Sequence, residues 1–246
     1  MGRLRFRARH VVSVLIGAAL IGAVGACGSE SKDRDVVAGK QQFVKNCGAC
    51  HVLARADTKG TQGPNLDEAF REGLRSGMGR NTVEGVVHDQ IMNPARLPKN
   101  DPVYMPPKIV TGNTAKNVAA YVALVAAAGG KDAGRLAEAV KSPSSNKPVA
   151  AKDGVLDMPA DPNGQLAYIS KQATAPAGQL EIDSKNDANI PHDIAIEGNG
   201  VNEKGEEVTS GGTSKISVDL QAGEYTYYCT LPGHREGGME GKLTVK

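Results

Sequence analysis

The hydrophobic period of this chain changes part-way along it. Up to about residue 130 the apolar positions recur as on a helix. Val36, Val37, Lys40, Phe43, Val44 and Cys47 fall at i, i+3, i+4 spacings and predict a first helix that ends at a pair of cysteines. The Gly, Thr and Asp content of residues 52–63 makes that stretch a loop. Two short helices are predicted near Asp67–Ser76 and Thr82–Met92. Pro94, Pro98, Pro102, Pro106 and Pro107 then forbid regular structure. Asn113 or Thr114 can cap a last helix whose Val118, Tyr121, Val122 and Val125 share one face, and Gly129-Gly130 ends it. Later the period is two: Leu166/Tyr168, Leu180/Ile182, Ile216/Val218/Leu220, Tyr225/Tyr227 and Leu243/Val245, separated by Gly- and Asn-rich turns. An all-α domain followed by a small all-β sandwich is the expected architecture, and there is no internal repeat.

Between the two patterns, Lys141-Ser-Pro-Ser-Ser-Asn-Lys-Pro-Val149 has no apolar period and reads as a linker, with a short helical stretch from Asp132 to Val140 before it. As a flexible coil, a linker of about 25 residues keeps its ends roughly 25–30 Å apart. Tethering of that kind holds the domains at an effective concentration of order mM, so random encounters suffice without a fixed interface. The expected partition is residues 1–26, 27–35, 36–130, 131–154 and 155–246.

The first of these segments reads as a targeting signal. A basic stretch with Arg3, Arg5, Arg7 and Arg9 precedes an apolar run from Val11 to Ala26 that ends in small residues. Val24-Gly25-Ala26-Cys27 resembles the lipobox of bacterial lipoproteins, which implies a signal peptide over 1–26, an acylated Cys27 and a polar tether over 27–35. An uncleaved anchor helix, or an ordinary signal peptide with a chance cysteine, is the alternative. Any of these takes the protein out of the cytoplasm. The four arginines also account for the positive formal charge: it is +2 for the whole chain and −2 without them. Nothing in that balance points to a nucleic-acid partner. Aromatic content is low, with no Trp and three Phe, so the cores must rely on Val, Leu, Ile, Ala and a bound cofactor.

Cys47-Gly48-Ala49-Cys50-His51 carries the chemistry of the first domain. Two thiols two residues apart, followed at once by an imidazole, form the c-type haem attachment signature. Both thiols add to the vinyl groups of one porphyrin edge, and the next side chain reaches the iron. A redox dithiol would want a βαβ setting, and a zinc site a second Cys/His pair nearby. Neither is present. For the sixth ligand, Met105 sits on a Pro-rigidified loop. Its thioether is a neutral, soft ligand that favours ferrous iron. His88, on the second short helix, is the rival, and Met78 and Met92 suit core filling.

Over residues 34 to about 130 this layout resembles a class I cytochrome c. The resemblance rests on Gly39 and Phe43, on Cys47 to His51, on Gly63-Pro64-Asn65-Leu66, on Tyr104-Met105-Pro106-Pro107 and on Tyr121. It implies that His51 and Met105 are the axial iron ligands, and that the Pro64 carbonyl accepts the other imidazole N–H and fixes its tautomer.

Cys229 is then the odd cysteine, and a lone thiol outside the cytoplasm asks for a reason. It stands in Tyr228-Cys229-Thr-Leu-Pro-Gly-His234-Arg-Glu-Gly-Gly-Met239, with His192 upstream. Two imidazoles, one thiolate and one thioether match a blue-copper centre, in which His₂Cys lies in a plane with a weak axial Met. Residues 155–246 accordingly resemble the cupredoxins, the Greek-key sandwiches of the plastocyanin, azurin and rusticyanin kind. Four residues separate Cys229 from His234 and four more separate His234 from Met239, a loop length closer to rusticyanin than to plastocyanin. One position departs from the family pattern. After the first ligand histidine an Asn often ties the ligand loops together, whereas this chain has Asp193, an acid that would loosen the tie or lower the potential.

Taken together, one haem c and one type 1 copper imply an extracytoplasmic electron carrier, lipid-anchored to the membrane. Its partners would be redox proteins of a respiratory chain rather than a small-molecule substrate, and both metals have closed coordination, so no catalytic role is expected. The alternatives are an electron-entry subunit of a terminal oxidase or reductase, and a copper-handling or redox-sensing module.

Overall fold

The computed structural model describes residues 34–101, 103–141 and 144–246. The expected signal peptide and Cys27 lie outside the described residues. Among the described residues no helix is long and apolar enough to cross a membrane.

Helix α1 (Val36–Asn46) starts where the Asp35 carboxylate accepts the free N–H groups of Val37 and Ala38. It crosses α4 (Gly112–Val125) at Gly39, where a Cβ would overlap the Asn117 carbonyl, so the close crossing requires glycine. Phe43 and Tyr121 meet beside it with ring centroids 6.3 Å apart. A two-residue hairpin, β1 (Val52–Leu53) with β2 (Thr58–Lys59), occupies part of the expected loop. Helices α2 (Leu66–Arg75) and α3 (Arg80–Met92) lie within a residue or two of expectation, and Asn65 caps α2 through Asp67 N and Glu68 N.

The cap of α4 differs from expectation. The N-cap is Thr111, with no side-chain hydrogen bond, and Asn113 and Thr114 lie inside the helix. At the other end Arg80 donates to the Ala123 and Ala126 carbonyls at 2.8 and 2.7 Å, satisfying acceptors that the helix leaves free. Val118, Tyr121, Val122 and Val125 are buried, as their common face predicts.

The stretch 131–154 is not a free coil. The Asp132 carboxylate is buried between Lys40 Nζ at 3.0 Å, Arg55 Nε at 2.8 Å and the Tyr121 hydroxyl at 3.0 Å. A single 3-10 turn over Gly134–Leu136 follows, and its Leu136 carbonyl accepts from Lys40 Nζ. Further on, β3 (Val149–Ala150) joins a sheet of the second domain. Polar anchors hold a segment that carries no apolar period.

The second domain is a sandwich of two sheets. β4 (Val155–Asp157), β6 (Gly178–Asn186) and β9 (Gly212–Leu220) form one, in the order β4-β6-β9. The other runs β3-β5-β11-β10-β7-β8, with β5 (Gln172–Ala175), β7 (Ala195–Gly198), β8 (Val201–Lys204), β10 (Gly223–Tyr228) and β11 (Glu240–Val245). The pairs β3·β5, β5·β11 and β4·β6 are parallel and the rest antiparallel. The period-two residues of β6, β9, β10 and β11 point into the common core. Leu166 and Tyr168 are also buried there but form no strand. Their segment lies against Pro159, which has no N–H to extend a ladder, and only the Ala160–Tyr168 bridge forms.

Candidate metal centres

In the sheet domain four donors are delivered by two connections of the fold, the segment before β7 and the β10–β11 loop. His192 precedes β7 and is bridged to Val208, Cys229 directly follows β10, and Met239 directly precedes β11. His234 lies on the connecting loop, which closes on itself: Cys229 N–H donates to the Met239 carbonyl at 3.1 Å, and Met239 N–H to the His234 carbonyl at 3.0 Å. The ligand atoms of His192, Cys229 and His234 lie within 4.8 Å of one another. The two Nδ1 atoms are 3.2 Å apart, and Cys229 Sγ is 3.4 Å from His234 Nδ1. Exposure is 1% at His192, 1% at Cys229, 5% at His234 and 0% at Met239.

The electrostatics of this cluster suit a metal ion. Burial, helped by the other imidazole, lowers His192 to about 3, and burial lowers His234 to about 4. Both rings are therefore neutral near pH 7 and offer lone pairs. Burial pushes the Cys229 thiol up to about 12, so a bound cation is what would draw off its proton. His192 Nε2 is buried without a partner, so packing rather than a hydrogen bond holds the far side of this ring.

Asp193 keeps the tie that its acidity put in question. Its carboxylate accepts the Thr230 N–H at 2.7 Å and the Thr230 hydroxyl, and its carbonyl accepts from Tyr168 OH at 2.8 Å. Arg235 pins the same loop from outside, bridging Glu197 and Glu240 and lying 4.1 Å over the Tyr228 ring. Thr230 and Arg235 escaped the sequence reading. The only signal was that each directly follows a donor.

In the helical domain Cys47 is the C-cap of α1, and a tight turn follows in which Cys50 and His51 both donate to the Cys47 carbonyl, at 3.1 and 2.9 Å. His51 Nδ1 is 2.9 Å from the Pro64 carbonyl, as the resemblance implied. That bond leaves Nε2 as the free nitrogen. Gly63 N–H donates to the Cys50 carbonyl at 2.7 Å, and a Cβ on Gly63 would press into the imidazole ring. The turn is thus shaped around His51. Desolvation lowers His51, opposed by the Pro64 bond. Desolvation also pushes the Cys47 thiol up to about 12, with Cys50 adding to it, and raises Cys50. A redox dithiol needs a depressed thiol, so this pair suits covalent attachment instead.

Met105 is half-buried on the α3–α4 loop and packs on the helical core, where Leu66, Phe70, Leu74 and Met92 also pack. Met78 is exposed at 38%, and His88 is half-buried on α3. The donor types and the cradle around His51 fit a haem.

Residues 36–125 match the sequence model of the cytochrome c family, and residues 157–246 match that of the copper binding proteins of the plastocyanin/azurin family. The chain joins a cytochrome c domain to a cupredoxin domain. No curated protein matches it as a relative. Among solved structures, auracyanin from the photosynthetic bacterium Roseiflexus castenholzii is 23% identical over 39% of this chain and 99% of its own, with a TM-score of 0.35. Auracyanin B is 20% identical over 39% and 91%, with a TM-score of 0.35. Amicyanin from Paracoccus versutus is 26% identical over 42% and 93%, with a TM-score of 0.31.

The cytochrome c domain implies haem c and the cupredoxin domain implies type 1 copper, and together they make this an electron-transfer protein. Each group supplies a one-electron couple. The chain's own part is to hold His51 in one tautomer and to keep His192, His234, Cys229 and Met239 packed away from water.

Proposed function

We propose that the protein is a membrane-tethered, extracytoplasmic carrier that moves single electrons between redox partners of a respiratory chain. Exposure of 5% or less at all four copper donors carries this reading. A site so enclosed has no room for a substrate, and what it exchanges with the outside is an electron. The sequence of residues 1–27 supports the location: a basic start, an apolar run and a lipobox-like end favour Cys27 as the acylated N-terminus of the mature protein. One acyl chain binds membranes only marginally, so firm anchoring takes the multiply acylated cysteine of bacterial lipoproteins.

Two measurements on protein isolated from membranes test this. The optical spectrum, oxidised and then reduced, is expected to show both a haem and an intense blue thiolate-to-copper band, each responding to one electron. Intact mass is expected to begin at an acylated Cys27. A missing band removes the corresponding centre, and an unmodified Cys27 removes the tether.

A further inference from the structure

The attachment turn of the cytochrome domain is packed against the copper-ligand loop of the cupredoxin domain. Ala49, between the two haem cysteines, is 4% exposed and belongs to the buried apolar cluster of the sheet domain rather than to that of the helices. Gln62 donates from Nε2 to the Pro232 carbonyl at 3.0 Å. Gly233 lies against the same segment: a Cβ there would stand 3.0 Å from Thr61 Oγ1 and 3.6 Å from Gln62 Cγ. A second point of approach sets Gly164 against Lys45, whose carbonyl oxygen would be 2.9 Å from an added Cβ. The segment 131–154 is tied to both domains by Asp132 and by β3, so its anchors favour this pose over free swinging.

The contact lies between the two sets of donors. Gln62 Oε1 is 3.7 Å from Cys50 Sγ, and its Nε2 holds the carbonyl two residues before His234. One side chain thus touches a haem-bearing cysteine and the backbone leading to a copper-bearing histidine.

We propose that these two loops form a fixed internal docking surface through which the centres exchange one electron, with Gln62 as the bridging residue. This rests on the two-cofactor reading above. The step is a pure electron transfer: the centre that gives up the electron is oxidised by one unit, the other is reduced by one, and no bond or proton changes hands. Gln62 is a positioning residue, because it touches the groups that carry the cofactors and itself undergoes no reaction. The Pro232–Gly233 face is occupied from within the chain, so an external partner has to approach elsewhere.

The test compares the full-length protein with Gln62→Ala, which removes the hydrogen bond, and Ala49→Arg, which wedges the loops apart. Nuclear relaxation of the reduced protein gives rotational correlation times for residues 36–125 and 157–246 separately. Flash photoreduction at several concentrations gives the exchange rate between centres. Equal correlation times are expected in the parent and in Gln62→Ala, and unequal, shorter ones in Ala49→Arg. The parent rate is expected to be independent of concentration. It should fall several-fold in Gln62→Ala with both potentials unchanged, a loss that a merely structural role would not produce without altered tumbling. In Ala49→Arg exchange should become slower still. Unequal correlation times in the parent, or a rate untouched in Gln62→Ala, would overturn the proposal. Loss of the haem or blue band in the parent would instead overturn the two-cofactor reading, while the relaxation data still decide the docking.

Discussion

The two domains solve the same task with different materials. Of the sixteen residues in the helical core, twelve are Ala or Val; of the twenty-one in the sheet core, six are. The sheet domain instead fills its interior with Leu, Ile, Tyr and Met, including the donors Cys229 and Met239 themselves. Its metal site is a corner of a finished core. The helical domain has small side chains inside, and larger ones such as Leu97 and Ile109 exposed on the loop that carries Met105. Its cofactor is bulk that the polypeptide does not supply. One domain folds around side chains and then offers a site, whereas the other is expected to need the haem as part of its interior.

Removing each cofactor's covalent or ligand sulfur should therefore have unequal results. Cys47→Ala with Cys50→Ala is expected to abolish the cooperative unfolding transition of the helical domain, leaving that of the sheet domain in place. Cys229→Ser should remove the blue absorption but keep both transitions and the haem spectrum. Calorimetry and circular dichroism on the two variants make the comparison, and a stable helical domain without haem would erase the distinction.

A smaller effect sharpens the same contrast. The helical domain supplements its thin core with Asp132, buried between Lys40, Arg55 and Tyr121. Taking away one partner of a buried ion pair leaves the other uncompensated, at about 3–5 kcal/mol. Asp132→Ala is expected to cost that much in the helical transition by denaturant titration, and far less in that of the sheet domain.

That network also marks the limit of what the sequence discloses. Donors announce themselves by spacing, because chemistry fixes it: Cys47, Cys50 and His51 along one turn, Cys229, His234 and Met239 along one loop. Helices and most strands announce themselves by period. Lys40 and Tyr121 fit the periods of their helices, but no period joins them to Arg55 and Asp132, since the four meet across nearly a hundred residues. The segment 131–154 reads as a linker for that reason, since polar anchors such as Asp132 and one short strand leave no apolar period. Met105 is half legible. Its Pro-rich loop singles it out, and the structure places it on the helical core beside other apolar residues. Asp193 stands out in the sequence as the residue after the first ligand histidine, but its bonds to Thr230 do not.

Acid should separate the domains as well. In the copper-free protein His192 and His234 stay neutral down to about 3 and about 4, whereas the unfolded chain takes up their protons near 6.5. Below that point the unfolded state binds more protons, so stability is full above about pH 6.5 and is lost as the pH falls towards 4. The expected loss for the sheet domain between pH 7 and 4.5 is on the order of 5 kcal/mol, about half from each imidazole. Urea titrations at pH 7 and 4.5, followed through the tyrosine signal, measure it. His192→Ala should flatten the slope, and an unchanged slope would move the acid sensitivity to other groups.

The smallest effect is the most local. Asp193 is 3% exposed and adjacent to His192, and its carboxylate holds Thr230, the residue after Cys229. An Asn in its place would still offer an oxygen to the Thr230 N–H, so the loop stays tied while the negative charge disappears. A buried carboxylate beside the metal favours the more positive oxidation state, and its removal should raise the copper potential. If the charged hydrogen bonds contribute about 1–2 kcal/mol of that preference, the rise is roughly 40–90 mV for a one-electron couple. The haem in the same molecule serves as the reference, and its potential should not move. Redox titration of Asp193→Asn followed at both bands gives the two numbers together. A copper potential that falls would mean that the carboxylate acts by shaping the ligand loop. In that case Thr230→Val, which breaks the hydroxyl contact and keeps the charge, should reproduce the change.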